Sequence, residues 1–164
     1  MIAQNKIKNL QSRLLNWYDE QKRDMPWRKN RDPYRILVSE FMLQQTQVKT
    51  VIPYYKKWMK SFPTAKKLAT ADESNVLKHW EGLGYYSRAK NLRKSAIYIQ
   101  HEFKGKVPDS MENILKLPGV GRYTAGAVLS IAFDKKVPIL DGNAKRVLSR
   151  LFLLNENGNN KKSE

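Results

Sequence analysis

Two carboxylates in this sequence occupy positions where they could act together in acid catalysis. Glu40 lies in the strongly apolar residues 36–43, where burial would raise its pKa and make it an acid near neutral pH. Asp141 follows the apolar residues 138–140, and in a more polar position it would stay ionised and stabilise a cation. This division of roles is used to cleave glycosidic bonds through an oxocarbenium-like transition state. Two structural alternatives stay open: Glu40 on a solvated helix face, and Asp141 as a helix N-cap.

A second group of residues, 117–125 (LPGVGRYTA), has the composition of a turn that binds an anion. Gly119 and Gly121 are one residue apart, and glycine permits positive φ angles and close approach by a neighbouring group. N–H groups that point outward at the start of a helix suit a phosphate oxygen. An ordinary turn between two helices is the alternative.

The charge of the chain favours a polyanionic partner. Its 164 residues include 31 Lys and Arg against 15 Asp and Glu, a net charge of +16, which suits nucleic acid or an acidic membrane surface. A general bias toward Lys and Asn would also produce part of this excess. We expect a cytoplasmic protein, because no apolar run approaches the ~20 residues that span a bilayer and no signal-peptide core is present. Without cysteine the chain cannot form disulfides or ligate zinc or iron–sulfur clusters through thiolates, and His79 and His101 are too isolated to indicate a metal site.

Helical periodicity extends along nearly the whole sequence and predicts an all-α fold. Apolar spacings of three and four residues predict an amphipathic first helix that includes Ile7, Leu10, Leu14 and Trp17. We also predict a long helix over residues 85–103 ended by Gly105, an apolar helix after the glycine turn, and a final helix over 143–154. Trp80 and Tyr86 are predicted to be core residues. The predicted N-caps are Asp32, Thr46, Thr64, Asp72 and Asp109.

Five stretches together resemble the helix-hairpin-helix DNA glycosylases, and within them the adenine-specific MutY type. They are residues 26–28 (PWR), 39–48 (SEFMLQQTQV), 82–92 (GLGYYSRAKNL), 117–127 (LPGVGRYTAGA) and 138–143 (PILDGN), in the family's order across about residues 12–154. The resemblance implies a six-helix barrel domain at 25–140, with its hairpin at 115–125, and an incomplete second helical domain. It assigns residues 1–24 to a helix of the family's iron–sulfur domain, 141–154 to a helix that bridges back toward the missing part, and 155–164 to a polar tail.

The resemblance implies an enzyme that removes adenine from DNA. In the family, adenine opposite 8-oxoguanine or guanine is flipped out of the duplex, because its glycosidic bond cannot be reached in the stack. Glu40 matches the general acid that protonates adenine N7, and Asp141 matches the carboxylate that stabilises the sugar cation. Tyr123 and Asn143 match residues that support these steps. The substrate- and DNA-binding residues implied are Arg28, Leu43, Gln44, Gln45, Thr46, Tyr85, Arg88, Gly119, Val120, Gly121 and Arg122.

The same resemblance implies more specific roles for some of these residues. Gln45 and Tyr85 match side chains that fill the space left in the base stack, and Arg28 matches a residue near the flipped base. Gly119 and Gly121 match hairpin glycines whose N–H groups hold a DNA phosphate. By position, backbone carbonyls that would coordinate a monovalent cation belong to Leu115, Leu117 and Val120.

Tyr123 distinguishes between reaction types. Relatives that resemble endonuclease III carry lysine at this position, and its amine attacks the sugar to form a Schiff base. Tyrosine cannot do this, so we predict base removal without efficient cleavage of the strand. Two alternatives remain: a glycosylase of the endonuclease III kind, which Tyr123 disfavours, and a DNA-binding remnant without activity.

The sequence also departs from the family pattern. It has neither the four cysteines that hold a 4Fe–4S cluster nor the nucleotide-hydrolase-like domain that recognises the oxidised guanine, so we expect no cofactor in this chain and weak discrimination of 8-oxoguanine from guanine. In the family the first helix packs against the missing helices, so we expect an exposed apolar patch and low stability here, unless another chain or a rearranged helix covers the patch. The expected partner of this chain, as a monomer, is double-stranded DNA and not a membrane.

Overall fold

The computed structural model of the protein describes residues 4–153, which fold into α-helices and contain no β-strand. A single 3₁₀ turn, Pro26–Arg28, lies between the first two helices. The all-α prediction is confirmed, whereas the predicted tail at 155–164 and the last residue of the predicted final helix lie outside the described residues. The helices are α1 (Gln4–Gln21), α2 (Pro33–Leu43), α3 (Val48–Ser61), α4 (Ala65–Ala69), α5 (Glu73–Trp80), α6 (Ser87–Glu102), α7 (Met111–Ile114), α8 (Arg122–Phe133) and α9 (Gly142–Phe152).

Helix α2 lies at the centre of the core, because it is apolar around most of its circumference. It packs against α3, α6 and α8. On one side of this packing, Trp58 of α3 and Trp80 of α5 meet edge to face with ring centroids 5.5 Å apart. Glu40 is therefore carried on a helix that is held by its neighbours over most of its length. The fully buried apolar side chains of α2 are Ile36, Leu37, Val38, Phe41 and Met42.

Three of the predicted N-caps occupy the cap position. The Asp32 carboxylate accepts a hydrogen bond from the Arg35 N–H at 2.9 Å, and the Thr64 hydroxyl oxygen accepts one from the Lys67 N–H at 3.2 Å. Asp72 precedes α5, but its side chain makes no capping bond. Side chains that accept from the first-turn N–H groups therefore begin α2 and α4, as the sequence predicts.

Thr46 does not cap α3, and that prediction is wrong. The Thr46 hydroxyl donates to the Gln44 carbonyl at 3.4 Å, within the turn that follows α2. The residue in the cap position is Gln47, with an extended backbone and no side-chain bond to the helix. The hydroxyl is used inside the turn and is therefore not available to the N–H groups at the start of α3.

The prediction for Asp109 is also wrong by one residue. Its carboxylate lies 3.2 Å from the Lys135 ammonium. Ser110 caps α7 instead, and its hydroxyl oxygen accepts from the Asn113 N–H at 3.3 Å. An ion pair with a residue distant in sequence has taken the side chain that local spacing had assigned to the cap.

The long predicted helix begins at Ser87 and not at residue 85, because Tyr85 has a left-handed backbone with φ of 47°. Its C-terminus agrees with the prediction, since Gly105 has φ of 80° and donates its N–H to a carbonyl of the last helical turns. Trp80 is fully buried, as predicted. Tyr86 is 43% exposed, so its assignment to the core is wrong.

Helices α1 and α9 lie outside the core. Every described side chain of α1 is exposed, and α9 has no buried residue. The expected exposed apolar patch is confirmed, with Leu14 and Trp17 each 58% exposed. Tyr18 of α1 accepts a hydrogen bond from the Arg28 guanidinium at 3.3 Å, which connects this helix to the 3₁₀ turn. None of the described helices is long and apolar enough to cross a bilayer.

Candidate active site

A cleft of about 910 Å³ opens where the C-terminal end of α2, the turn before α6 and the N-termini of α8 and α9 meet. Four helix ends therefore contribute to one cavity, although their sequences are separated by up to a hundred residues. Both carboxylates singled out from the sequence line it. The lining residues are Glu40, Leu43, Gln44, Gln45, Tyr85, Ser87, Arg88, Tyr123, Asp141, Gly142 and Asn143.

Glu40 is an acid buried at the wall of the cleft. Its side chain is on the last turns of α2, and the residue is only 7% exposed. Burial raises its pKa from 4.5 to about 7, because the charged carboxylate loses hydration, while the positive charge of Arg28 acts in the opposite direction. Glu40 can therefore hold a proton at neutral pH and deliver it into the cleft.

Asp141 combines the two roles that the sequence left open. It is the N-cap of α9, where one carboxylate oxygen accepts from the Ala144 N–H at 2.6 Å. The same residue is only partly buried and lines the cleft. A capping bond fixes the orientation of the carboxylate and leaves it able to stabilise positive charge in the cavity.

The pKa of Tyr123 is affected by both carboxylates of the cleft. Burial raises the pKa of its hydroxyl, and the negative charges of Glu40 and Asp141 raise it further, while Arg28 acts in the opposite direction. The phenol therefore keeps its proton and can donate a hydrogen bond at neutral pH. Asn143 lines the cleft beside it, and its side-chain oxygen accepts from the Arg146 guanidinium at 3.1 Å.

Two turns with unusual backbone conformations contribute to the rim of the cleft. Gln45, after α2, has φ of 55°, and Tyr85, before α6, has φ of 47°, both in the left-handed region that non-glycine residues rarely adopt. Gln44 donates from its side-chain amide to the Thr124 hydroxyl at 3.4 Å, which connects the first turn to α8. Tyr85 is 62% exposed, so a large aromatic ring stands at the rim and is available to a ligand.

The glycine turn lies next to the cleft but does not line it. Gly119 has φ of 78° and a Cβ there would approach Asn91 Cβ at 2.7 Å, so only glycine fits. Gly121 is the N-cap of α8, and a Cβ there would meet nothing within 4 Å. The turn is fastened to α6 by Ser95, whose hydroxyl donates to the Pro118 carbonyl at 2.8 Å. The open side of the turn is therefore at Gly121.

The cleft brings together most, but not all, of the residues predicted from the sequence. Those outside its lining belong to the 3₁₀ turn, the turn after α2 and the hairpin. Sequence reasoning missed Ser87 and Gly142, although they lie within the matched stretches 82–92 and 138–143, and that membership was the signal available. The predicted residues outside the lining are Arg28, Thr46, Leu115, Leu117, Gly119, Val120, Gly121 and Arg122.

The all-α fold and the paired carboxylates of the cleft fit a family of base excision DNA repair proteins, and comparisons with known proteins agree. The model of the HhH-GPD superfamily of base excision DNA repair proteins matches residues 38–164. The chain therefore belongs to this superfamily, and the resemblance proposed from the sequence is confirmed. Within the described residues the protein has the all-α fold of its helix-hairpin-helix glycosylase members.

Curated relatives of the chain are named adenine DNA glycosylase. The protein from Buchnera aphidicola subsp. Acyrthosiphon pisum is 50% identical over 140 residues, which are 85% of this chain and 40% of the relative. The rat protein is 51% identical over 147 residues, covering 84% of this chain and 28% of the relative. The chain thus spans less than half the length of these curated relatives.

Solved structures support the same fold. A thermostable thymine-DNA glycosylase is 34% identical, with a TM-score of 0.84 over 88% of this chain and 67% of that one. A trapped covalent intermediate of endonuclease III with DNA is 23% identical, with a TM-score of 0.80 over 93% of this chain and 70% of that one.

Proposed function

We propose that this chain carries the catalytic centre of a glycosylase that hydrolyses the N-glycosidic bond of adenine paired with 8-oxoguanine or guanine in double-stranded DNA. The observation that carries the proposal is the pairing in one cleft of Glu40, whose pKa is about 7, with the capped carboxylate of Asp141. Curated relatives named for adenine at about half identity supply the choice of base.

The reaction assigns one task to each group. Glu40 gives its proton to N7 of the flipped adenine, and the C1′–N9 bond breaks with its electron pair leaving on the base. The Asp141 carboxylate stabilises the positive charge that develops on the sugar. Water then adds to C1′, and the proton it loses restores the Glu40 carboxyl group. The hydroxyl of Tyr123 keeps its proton and is available as a hydrogen-bond donor to either carboxylate.

The same cleft favours base removal without strand cleavage. Tyr123 occupies the hairpin position where an attacking amine would be required, and a phenol cannot form a Schiff base with the sugar. The abasic product should therefore stay intact until alkali is added. A glycosylase of the endonuclease III kind would cleave the strand without alkali.

DNA contact is proposed at the hairpin and around the cleft. Gly121 and Arg122 begin α8 and both are exposed, so their N–H groups suit a phosphate. Leu115, Leu117 and Val120 supply carbonyls to the same loop for a monovalent cation, and that of Leu117 already accepts from the Val120 N–H at 3.1 Å. A net charge of +16 adds general attraction to DNA. We place the protein, as a monomer, on DNA inside the cell.

An iron–sulfur cluster has no ligands in this chain. Its 164 residues contain no cysteine, and no group of His, Asp and Glu suited to a metal ion occurs among the residues that the structure describes. The donors that such a cluster needs are thiolates.

A single-turnover assay tests the proposal. A duplex with adenine opposite 8-oxoguanine is incubated with excess protein, and free adenine and alkali-labile sites are measured separately. We expect both, in equal amounts, and no strand cleavage before alkali. Glu40→Gln should lower the rate by at least ~10²–10⁴, the contribution typical of general acid catalysis. DNA binding without adenine release would instead support the alternative of a DNA-binding remnant without activity.

A further inference from the structure

The side chain of Arg88 is buried at the cleft that it helps to line, and its guanidinium bonds to the protein backbone. The residue is 6% exposed, although it belongs to the matched stretch that suggested a substrate or DNA contact. Its guanidinium is surrounded by backbone carbonyls, and burial lowers its pKa by loss of hydration. Aromatic rings of Trp80 and Tyr85 lie 5.3 and 5.5 Å from the guanidinium carbon.

One guanidinium nitrogen, Nη1, holds the C-terminal end of α2. It donates to the carbonyls of Phe41 at 3.2 Å and Met42 at 2.9 Å, and also to the carbonyl of Gln44. Carbonyls at a helix C-terminus lack partners within the helix, and a cation there is favourable. The Gln44 carbonyl is part of the peptide that leads directly into left-handed Gln45.

The second terminal nitrogen, Nη2, holds the turn before α6 in the same way. It donates to the carbonyls of Leu83 and Gly84, both at 3.1 Å. The Gly84 carbonyl also accepts from the Trp80 indole N–H at 3.0 Å. This carbonyl belongs to the peptide that leads into left-handed Tyr85. A single side chain therefore fixes the two peptides that precede the two left-handed residues of the cleft rim.

We infer that Arg88 is a positioning residue for base removal, which keeps Gln45 and Tyr85 in the orientation that an extruded adenine requires. This inference rests on the proposed function. Left-handed backbone at a non-glycine residue persists only when its surroundings impose it, and the Arg88 bonds supply that constraint at both turns. Lysine cannot replace it, because one ammonium cannot reach two separated sets of carbonyls with fixed geometry.

The test compares Arg88→Lys with Arg93→Lys in the full chain. Arg93 is a matched control on the same helix, since it also donates to a backbone carbonyl, that of Ala71 at 2.8 Å, but it does not line the cleft. Adenine release is measured in single turnover. Base unstacking is measured by the fluorescence of 2-aminopurine in place of adenine, opposite 8-oxoguanine.

We expect Arg88→Lys to slow adenine release about a hundredfold, the effect of a small misplacement of positioning groups, and to reduce the unstacking signal. Arg93→Lys should match the parent in both. The salt dependence of duplex affinity should be unchanged in Arg88→Lys and in Arg88→Met, because an inward guanidinium neutralises no phosphate. Loss of one phosphate contact would reduce the slope of log K against log salt by about 0.9.

Three results would overturn the inference. One is a slope reduced by that amount in Arg88→Met with normal unstacking, which would make Arg88 a phosphate contact. Another is normal release and unstacking in Arg88→Lys. The third is an equal loss in Arg93→Lys. If the parent itself releases no adenine, the proposed function fails, and the unstacking signal still decides the role of Arg88.

A measurement on the unmodified chain covers the case in which the Arg88 variants do not fold. With ¹⁵N-labelled arginine, hindered rotation of a guanidinium that is bonded on both nitrogens gives separate Nη resonances. We expect separate resonances for Arg88 without DNA, and the same resonances after a short duplex is added. Averaged resonances, or resonances that separate only when DNA is present, would contradict an internal positioning role.

Discussion

At the scale of single residues, the raised pKa of Glu40 sets the pH dependence of the reaction. The acid must be protonated to act, and burial places its pKa at about 7. We expect single-turnover adenine release to fall tenfold for each pH unit above this value. A rate that stays constant from about pH 6 to about pH 9 would show that Glu40 does not supply the proton.

Arg28 should control where that decrease begins. Its positive charge lowers the pKa of Glu40 against the larger effect of burial. In Arg28→Met the pKa of Glu40 should therefore rise, and the basic limb of the rate profile should move to higher pH. The control is Lys29→Met, because Lys29 is exposed and pairs with Asp24 at 3.9 Å. A limb that moves downward in Arg28→Met, or equally in both variants, would contradict the assignment.

The same pKa makes a prediction for stability. In the folded protein Glu40 holds its proton up to about pH 7, but its pKa in the unfolded chain is near 4.5. The folded state therefore binds more protons between these values, and its stability decreases as pH rises through them, by about 3 kcal/mol in total. Glu40→Gln removes this effect, so its stability relative to the parent should increase between pH 4.5 and 7. Urea unfolding at pH 5 and pH 8 measures the change, and an equal difference at both values would refute it.

The residues of the cleft show which interactions a sequence reveals. The presence of Glu40, Asp141 and Tyr123 in one site could be predicted, because matched stretches carry them and each has a recognisable chemistry. The direction of Arg88 could not, because its partners include carbonyls more than 40 positions away. A side chain in a matched stretch can act on the backbone as readily as on the ligand, and only packing distinguishes the two.

At the scale of elements, the helices could be predicted from apolar spacing, but some of their starting points could not. Thr46 and Asp109 failed as caps because each side chain is engaged by the turn or by a distant lysine. Left-handed Tyr85 likewise delays the start of α6. Caps depend on one hydrogen bond, and a competing partner is enough to move a boundary by one residue.

The glycine turn offers a matched pair of substitutions at this scale. Gly119→Ala should destabilise the fold, because its left-handed backbone alone costs about 1–3 kcal/mol in a residue with a Cβ and the new atom would lie 2.7 Å from Asn91 Cβ. Gly121→Ala should leave the melting temperature nearly unchanged, since its φ is −93° and its Cβ meets no atom within 4 Å.

For DNA affinity, Gly121 is the glycine at which we expect a substitution to have an effect on an intact fold. If a phosphate approaches the N–H groups at the start of α8, the added methyl group of Gly121→Ala should weaken duplex binding although the fold is intact. Thermal melting and binding are measured on the same preparations. Unchanged affinity in Gly121→Ala would place the phosphate elsewhere on the hairpin, and a stable Gly119→Ala would contradict the backbone geometry.

At the scale of the whole molecule, we expect the exposed apolar faces of α1 and α9 to account for most of the binding of apolar ligands to the surface. They should contribute little to the stability of the core. Leu14, Leu15 and Trp17 are 58–63% exposed. We expect strong binding of a dye that reports apolar surface, and a large decrease when these three residues are replaced by Gln. The melting temperature should change little, because exposed residues outside the core rarely alter stability by more than about 0.5 kcal/mol each.

Leu92→Gln provides the opposite control, since Leu92 of α6 is fully buried. It should lower the melting temperature strongly and increase dye binding, because a buried amide without partners opens the core. If the α1 substitutions instead lower the melting temperature as much as Leu92→Gln, then α1 packs against the domain in solution. A highly stable, cooperative monomer that binds no dye would lead to the same conclusion, and it would show that the apolar residues of α1 are covered within one molecule.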